Sequence, residues 1–230
     1  MIRKFIILLI FIGISITTGV IASGIYSYGW LFCNMSGYKC IRVKNGDSWE
    51  NLFRDPNKRD IVMRLNRINM PIYAGMVIAV PKNMDSYDYM DFSPMPNWID
   101  TNGKREVVVD LEKQAFGAYL ENGRLVHWGP VSGGRGYCPD EESACNTPHG
   151  VFYVYARGTP SCISSIFPIP EGGAPMPYCM YFYKGFALHG SELPGYNASH
   201  GCIRLFVEDA KWLNLYFVDI GRGGTKVVVK

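Results

Sequence analysis

Runs of like charge are missing from this chain. No stretch holds five or more Lys or Arg in a row, the formal net charge is +3, and charged residues are 19% of the 230 positions. That excludes the electrostatic footprint of a nucleic-acid binder, and no nucleic-acid partner is expected. Histidine is scarce, at four, so any imidazole chemistry has few places to reside. With 48% hydrophobic residues the chain is no disordered tail, and it is long enough for one sizeable core plus a small module.

Charge is absent altogether from Phe5 to Phe32, behind Arg3 and Lys4. The dense apolar run from Phe5 to Ile16 opens a segment able to cross roughly 30 Å of hydrocarbon as a helix. The two cations stay cytoplasmic, so the rest of the chain is exported. Residues 1–32 are therefore a transmembrane anchor, or a secretory signal cut after Val20-Ile21-Ala22. Apolar character beyond Ala22 favours the anchor. Bulky Phe32 directly before Cys33 argues against a lipoprotein.

Outside the cytosol disulfides persist, and seven cysteines is an odd number. Short spacings suggest the local pairs Cys33 with Cys40, Cys138 with Cys145 and Cys162 with Cys179, which leaves Cys202. Scattered reduced core cysteines are the alternative.

Residues 41–83 form a compact unit. IRVKNGDSW reads as a strand entering a Gly-Asp turn, IVMRLNRIN carries Ile61, Val62, Leu65 and Ile68 at helical spacing, and GMVIAVP reads as a closing strand. The VKNGDSW opening, Asn66 at a helix end and the GMVIAVP ending resemble a LysM domain, a small βααβ fold, although FRDPNKRD departs from the usual first helix. The resemblance implies binding to N-acetylglucosamine-containing glycans such as peptidoglycan; a spacer without affinity for sugar is the alternative. Residues 84–105, with Tyr87, Tyr89, Phe92 and Trp98, read as a linker that packs against something.

From Glu106 the pattern turns to β. EVVVDLE, QAFGAYL and RLVHWGPVSGG are strand-like, the last two joined at Glu121-Asn122-Gly123-Arg124, a hairpin signal. GVFYVYA and MYFYKGFALHG each read as one further strand, FVEDAKWLNLYF as the one principal helix, and KVVVK as the closing strand. Residues 106–230 are thus expected to be a mainly β domain.

Cys202 stands in SHGCIRL, shortly before that helix. A thiolate is favoured by a helix N-terminus, by cations and by backbone donors, and in extended geometry His200, Cys202 and Arg204 project to one face. His189, at the end of a strand and 13 residues upstream, is the candidate base, while His127 and His149 default to structural roles. Half a zinc site, from Cys202 and His200 with His189 added, and an inert buried thiol are the competing readings.

TPHGVFYV, APMPYCMYF, ALHG and SHGCIRL, in that order, resemble the catalytic domain of the L,D-transpeptidases, the YkuD-type fold, across residues 106–230. The resemblance implies a β-sandwich with Cys202 as nucleophile and His189 as catalytic histidine. It further assigns Ser199, His200, Gly201, Arg204, Gly190, Met176 and Tyr178 to oxyanion and substrate binding. The span from His189 to Ser199 is short for the family, and Cys179 stands where an aromatic is common, which favours its disulfide to Cys162. No metal or cofactor is implied.

What the resemblance implies chemically is two-step acyl transfer on peptidoglycan. Cys202 attacks the third residue of a stem tetrapeptide and releases D-alanine, and the thioester passes to an acceptor amine for a 3→3 cross-link, a lipoprotein lysine or a D-amino acid. Hydrolysis instead makes an L,D-carboxypeptidase, and a silent peptidoglycan-binding protein is the non-enzymatic alternative. A papain-like endopeptidase fits less well, because there the cysteine precedes the histidine. Stem peptides, glycan strands, the membrane and carbapenem-type inhibitors are the expected partners, at the periplasmic or cell-wall face or in secreted form, with a role in wall biogenesis and cell shape.

Overall fold

The computed structural model describes residues 27–164, 174–221 and 223–230. Most of the expected anchor, with its candidate cleavage point, lies outside the described residues; among these no helix is long and apolar enough to cross a membrane. Tyr28–Phe32, the end of the uncharged segment, form a single 3-10 turn. It is tied to the next strand by the Cys33–Cys40 disulfide.

The N-terminal unit runs β1 (Tyr38–Arg42), α1 (Trp49–Leu52), α2 (Pro56–Asn66) and β2 (Val77–Pro81), with β1 and β2 antiparallel. Short α1 exists because Ser48 and Asn51 cap each other's backbone N–H groups. Asp55 accepts from the N–H groups of Asn57 and Lys58 and Pro56 takes the first helical position, so α2 starts inside the FRDPNKRD stretch. Arg67 ends the helix in the left-handed conformation, φ 60°. The Asn66 carboxamide bonds the backbone of Val62 and both backbone groups of Ala79, each at 2.8 Å, and so ties α2 to β2. Val43, Trp49, Val62, Ile68, Ile78 and Val80 make the core between them.

The remaining strands are β3 (Glu106–Asp110), β4 (Ala115–Tyr119), β5 (Leu125–Ser132), β6 (Gly136–Cys138), β7 (Ser143–Cys145), β8 (Gly150–Tyr153), β9 (Ala156–Arg157), β10 (Met180–Tyr183), β11 (Phe186–Gly190), β12 (Ile203–Leu205) and β13 (Lys226–Val229). The expected sandwich is one curled nine-stranded sheet, in the order β8-β13-β3-β4-β5-β12-β11-β10-β9. Strand β5 makes the fold-over: most of it pairs with β4, while Val131 and Ser132 pair with Leu205 and Arg204 of β12. Both halves bury the same core, Val107, Val109 and Phe116 from one and Met180, Leu188, Ile203 and Leu205 from the other.

α3 (Val207–Trp212) runs into a π turn at Leu213–Phe217 and closes that core with Ala210, Leu213 and Phe217. MYFYKGFALHG is a hairpin rather than one strand: Lys184 and Gly185 take positive φ, 42° and 92°, the conformation a two-residue hairpin turn requires. The 84–105 segment packs as expected, with Tyr89, Met90, Phe92 and Met95 against Val108, Tyr119 and Trp128 on the outer face of the sheet. That second burial explains why EVVVD is apolar without alternation.

Candidate active site

Strands β11 and β12 lie side by side and parallel, with Leu188 opposite Ile203, His189 opposite Arg204 and Gly190 opposite Leu205. Leu188, Ile203 and Leu205 enter the core. Alternation therefore puts His189 and Arg204 together on the other face. Cys202 ends the turn just before β12, half-buried and unpaired, while the other six cysteines form the three local disulfides expected from their spacing.

The turn at 199–202 is held from several sides. Ser199 Oγ accepts from the Gly201 N–H at 2.9 Å and donates to the Cys202 carbonyl at 2.5 Å. Thr147 Oγ1 donates to the Gly201 carbonyl and accepts from the Gly134 N–H, both at 2.8 Å. Gly201 sits at φ 122°, and a Cβ there would fall 2.6 Å from Phe186, so only glycine fits. Because these residues turn instead of extending, the expectation that His200, Cys202 and Arg204 share one face through strand alternation does not hold. His200 instead donates from Nε2 to Asp140 at 2.6 Å, beside Arg135, at the hairpin closed by Cys138–Cys145.

His189 is 4% exposed. Its Nδ1–H donates to the Gly190 carbonyl at 3.0 Å, which leaves Nε2 as the basic nitrogen. Burial lowers its pKa to about 4, the Gly190 bond opposing and Arg204 reinforcing the shift. Burial also pushes the Cys202 thiol up, against partial relief from the Ala187 backbone and Arg204. The expected helix effect on Cys202 is absent, since β12 separates it from α3. The resting pair is thus neutral thiol and neutral imidazole, and no hydrogen bond joins the two side chains among the described residues.

Arg204 is half-buried; burial and the nearby Arg135 lower its pKa, with Cys202 and Tyr196 acting the other way. Met176 is buried against Cys179 and Ala187, and half-buried Tyr178 takes φ 58°. The Gly190 N–H donates to Pro177, and the Cys162–Cys179 disulfide ties down the segment over this face. Sequence reasoning missed Tyr181, opposite Ala187 in β10, whose pKa is raised first by burial and then by Cys202. It also missed Thr147, Arg135 and Asp140. Thr147 and Tyr181 stand inside the TPHGVFYV and APMPYCMYF motifs, where nothing singles them out; Arg135 and Asp140 have no signal short of the fold, since each reaches the site from a different loop.

His127 is structural, bonded to Asp209 and Tyr89 at 2.8 Å each, and His149 is exposed. The possible metal ligands brought together among the described residues are Cys138, Asp140 and His200. They differ from the zinc set Cys202, His200 and His189, and the sulfur of Cys138 is bonded to Cys145. A cavity of about 430 Å³ between Arg64, Tyr89, His127, Asp209 and Trp212 includes none of the predicted site residues.

A buried imidazole of fixed tautomer on β11, an unpaired thiol at the entry to neighbouring β12 and a disulfide-tied segment over that face are an arrangement suited to thiol-based acyl transfer. Residues 104–229 match the family model of the L,D-transpeptidase catalytic domain, YkuD, and the chain belongs to that family of transpeptidases. No curated protein matches it. Among solved structures, an L,D-transpeptidase from Xylanimonas cellulosilytica is 28% identical with a TM-score of 0.50, over 69% of this chain and 74% of that one. The Enterococcus faecium L,D-transpeptidase is 25% identical with a TM-score of 0.42, over 55% of this chain and 50% of that one. An L,D-transpeptidase from Mycobacterium tuberculosis is 21% identical with a TM-score of 0.42, over 71% and 76%.

Proposed function

We propose that the protein is a peptidoglycan L,D-transpeptidase in which Cys202 is the nucleophile and His189 the general base. The observation that supports this reading is the pairing of parallel β11 and β12, which opposes His189 to Arg204, two residues after the unpaired Cys202, and leaves Nε2 of a neutral imidazole available to take a proton. Substrate closure brings the thiol proton to His189 as sulfur attacks the carbonyl of the third stem residue. The protonated imidazole then returns that proton to the departing D-alanine amine. An acceptor amine resolves the thioester into a 3→3 cross-link, a lipoprotein linkage or a D-amino-acid exchange.

Gly201 N–H is engaged by Ser199 Oγ, so the backbone N–H of Cys202 is the better oxyanion donor of that turn. Arg204, which has no carboxylate partner among the described residues, is suited to a substrate carboxylate. Met176 and Tyr178 would shape the donor channel. The N-terminal unit has the strand, helix, helix, strand order of a LysM domain, which supports a role in holding glycan strands. The segment before Tyr28 would anchor the protein at the outer face of the cytoplasmic membrane, or be cleaved to release it.

One observation favours a second reading. Burial pushes the Cys202 thiol toward its protonated form and no hydrogen bond joins it to His189 among the described residues, a state that a silent wall-binding protein would share. The full chain, with its disulfides formed, is incubated with disaccharide-tetrapeptide, a D-amino acid and, separately, a carbapenem, and followed by mass spectrometry. D-alanine exchange or a dimer, with an acyl adduct on Cys202, supports transpeptidation. D-alanine release alone makes it a carboxypeptidase, and an unreactive Cys202 leaves the binding protein.

A further inference from the structure

We propose that Asn69 is a positioning residue for the active site and that the N-terminal unit, through Asn69, holds the loop running from His189 to Cys202 in its working shape. The inference rests on the transpeptidase reading above and adds to it a part for a domain otherwise taken as a wall tether.

A loop's backbone polar groups must find partners somewhere, and here their destinations divide cleanly. Residues 196–199 turn to the end of β5: Ser132 Oγ donates to the Tyr196 carbonyl and accepts from the Ala198 N–H, while Gly133 exchanges bonds with Asn197 and Ser199. Residues 191–195 turn to the N-terminal unit. Asn69 Nδ2 donates to the Ser191 carbonyl at 3.2 Å, and Asn69 Oδ1 accepts from the Leu193 N–H at 2.6 Å. The Asn69 N–H donates to the Leu193 carbonyl at 3.2 Å, and the Tyr28 N–H donates to the Gly195 carbonyl at 2.8 Å. Within this half, one backbone bond, from Ser191 N–H to Leu205, stays inside the catalytic domain.

Packing follows the same division. Leu193 is fully buried, and Ile68 pairs with Pro194 as an isolated bridge. Gly195 lies at φ 92°, where a Cβ would meet Ile68 and Ser27 at 2.9 Å. The span between His189 and Ser199 is short, so the loop has few side chains with which to fold on itself. One carboxamide therefore reads two loop positions, 191 and 193, from outside. The loop leaves β11 at Gly190, whose carbonyl fixes the His189 tautomer, and enters the turn that carries Cys202. Slack at residues 191–193 is thus transmitted to both reacting groups.

The experiment compares the full wild-type chain with Asn69→Ala, Asn69→Asp and Val62→Ala. The last hollows the N-terminal core without touching the loop. Carbapenem acylation of Cys202 is measured well below each variant's Tm and normalised to thiol titrated by iodoacetamide. Hydrogen exchange is followed over residues 190–199. Asn69→Ala is expected to acylate about tenfold more slowly, the effect of losing about 1.4 kcal/mol with its part-buried hydrogen bonds, and to exchange faster across the loop. Asn69→Asp, which keeps the acceptor for Leu193, falls between, and Val62→Ala lowers Tm with the normalised rate unchanged. Equal rates for Asn69→Ala and wild type, or equal losses in Asn69→Ala and Val62→Ala, overturn the proposal. If wild type itself is not acylated, the transpeptidase reading falls instead; loop exchange then judges the clamp, supported if faster only in the Asn69 variants and overturned otherwise.

Discussion

Arg64 and Asp209 meet fork to fork, Nη1 to Oδ2 and Nη2 to Oδ1 both at 2.9 Å, and they remain only 6% and 1% exposed. One comes from α2 and the other from α3, so the pair joins the N-terminal unit to the catalytic domain. His127 Nε2 bonds the same carboxylate at 2.8 Å, and Tyr89 covers the guanidinium at 4.7 Å.

Removing one partner strands the other charge in the interior. Asp209→Ala is expected to lose about 3–5 kcal/mol, read as a lowered midpoint in urea unfolding. A matched replacement of Arg64 and Asp209 by Met and Leu should recover most of that loss. A midpoint unchanged by Asp209→Ala would mean the junction adds nothing to stability.

Burial alone would raise the Asp209 carboxyl, but Arg64 and His127 outweigh it and hold it below the ordinary carboxylate range. A depressed native pKa gives stability that is present above the unfolded value of about 4 and is lost as pH falls through the native one. Acid unfolding of wild type should therefore steepen below about pH 4, and Asp209→Asn should remove that part of the slope.

His189 titrates by the same sign. Its native pKa of about 4 lies below the ordinary 6.5, so its neutral burial contributes fully above 6.5 and fades as pH falls toward 4. The loss is on the order of 3 kcal/mol. His189→Gln should flatten stability across that window and abolish acylation of Cys202, while iodoacetamide still alkylates the thiol at alkaline pH. Persistent acylation would remove His189 from the base role.

Thr147→Val replaces a hydroxyl that serves Gly134 and Gly201 at once. The variant should lose about 1–3 kcal/mol of stability. Its acylation rate should fall further than that of a surface control such as Glu208→Gln. An unchanged rate would show that the 199–202 turn keeps its shape without Thr147.

Cys162 and Cys179 enclose a loop for which chain-entropy reasoning gives about 3 kcal/mol of stabilisation. Replacing both by Ser should raise the iodoacetamide reactivity of Cys202, because Met176, Tyr178 and Pro177 are tied down beside Ala187 and Gly190 through that bond. Unaltered reactivity would show that the segment covers the site without the disulfide.

Much of the molecule was legible in its residues. The NG hairpin, the helix around Ala210, the strand-helix-helix-strand order and the three cysteine pairs depend on contacts between near neighbours, which leave a pattern in a linear chain. Where neighbours misled, the reasons are local too. Asp55-Pro56 starts α2 earlier than its apolar spacing suggests, and Lys184-Gly185 breaks an apolar run that reads as one strand.

Composition and motif order by themselves singled out Cys202 as the cysteine left over from three local pairs, which the structure shows unpaired, and named His189 as the candidate base. Only the tertiary structure decided that the two are neutral at rest, since burial sets their pKa values and burial belongs to no single segment. It alone turned the expected sandwich into one sheet curled at β5. It alone brought Thr147, Asn69 and the Arg64–Asp209 pair to their places, because hydrogen bonds and ion pairs across 54 to 145 positions leave no periodicity for a sequence to display.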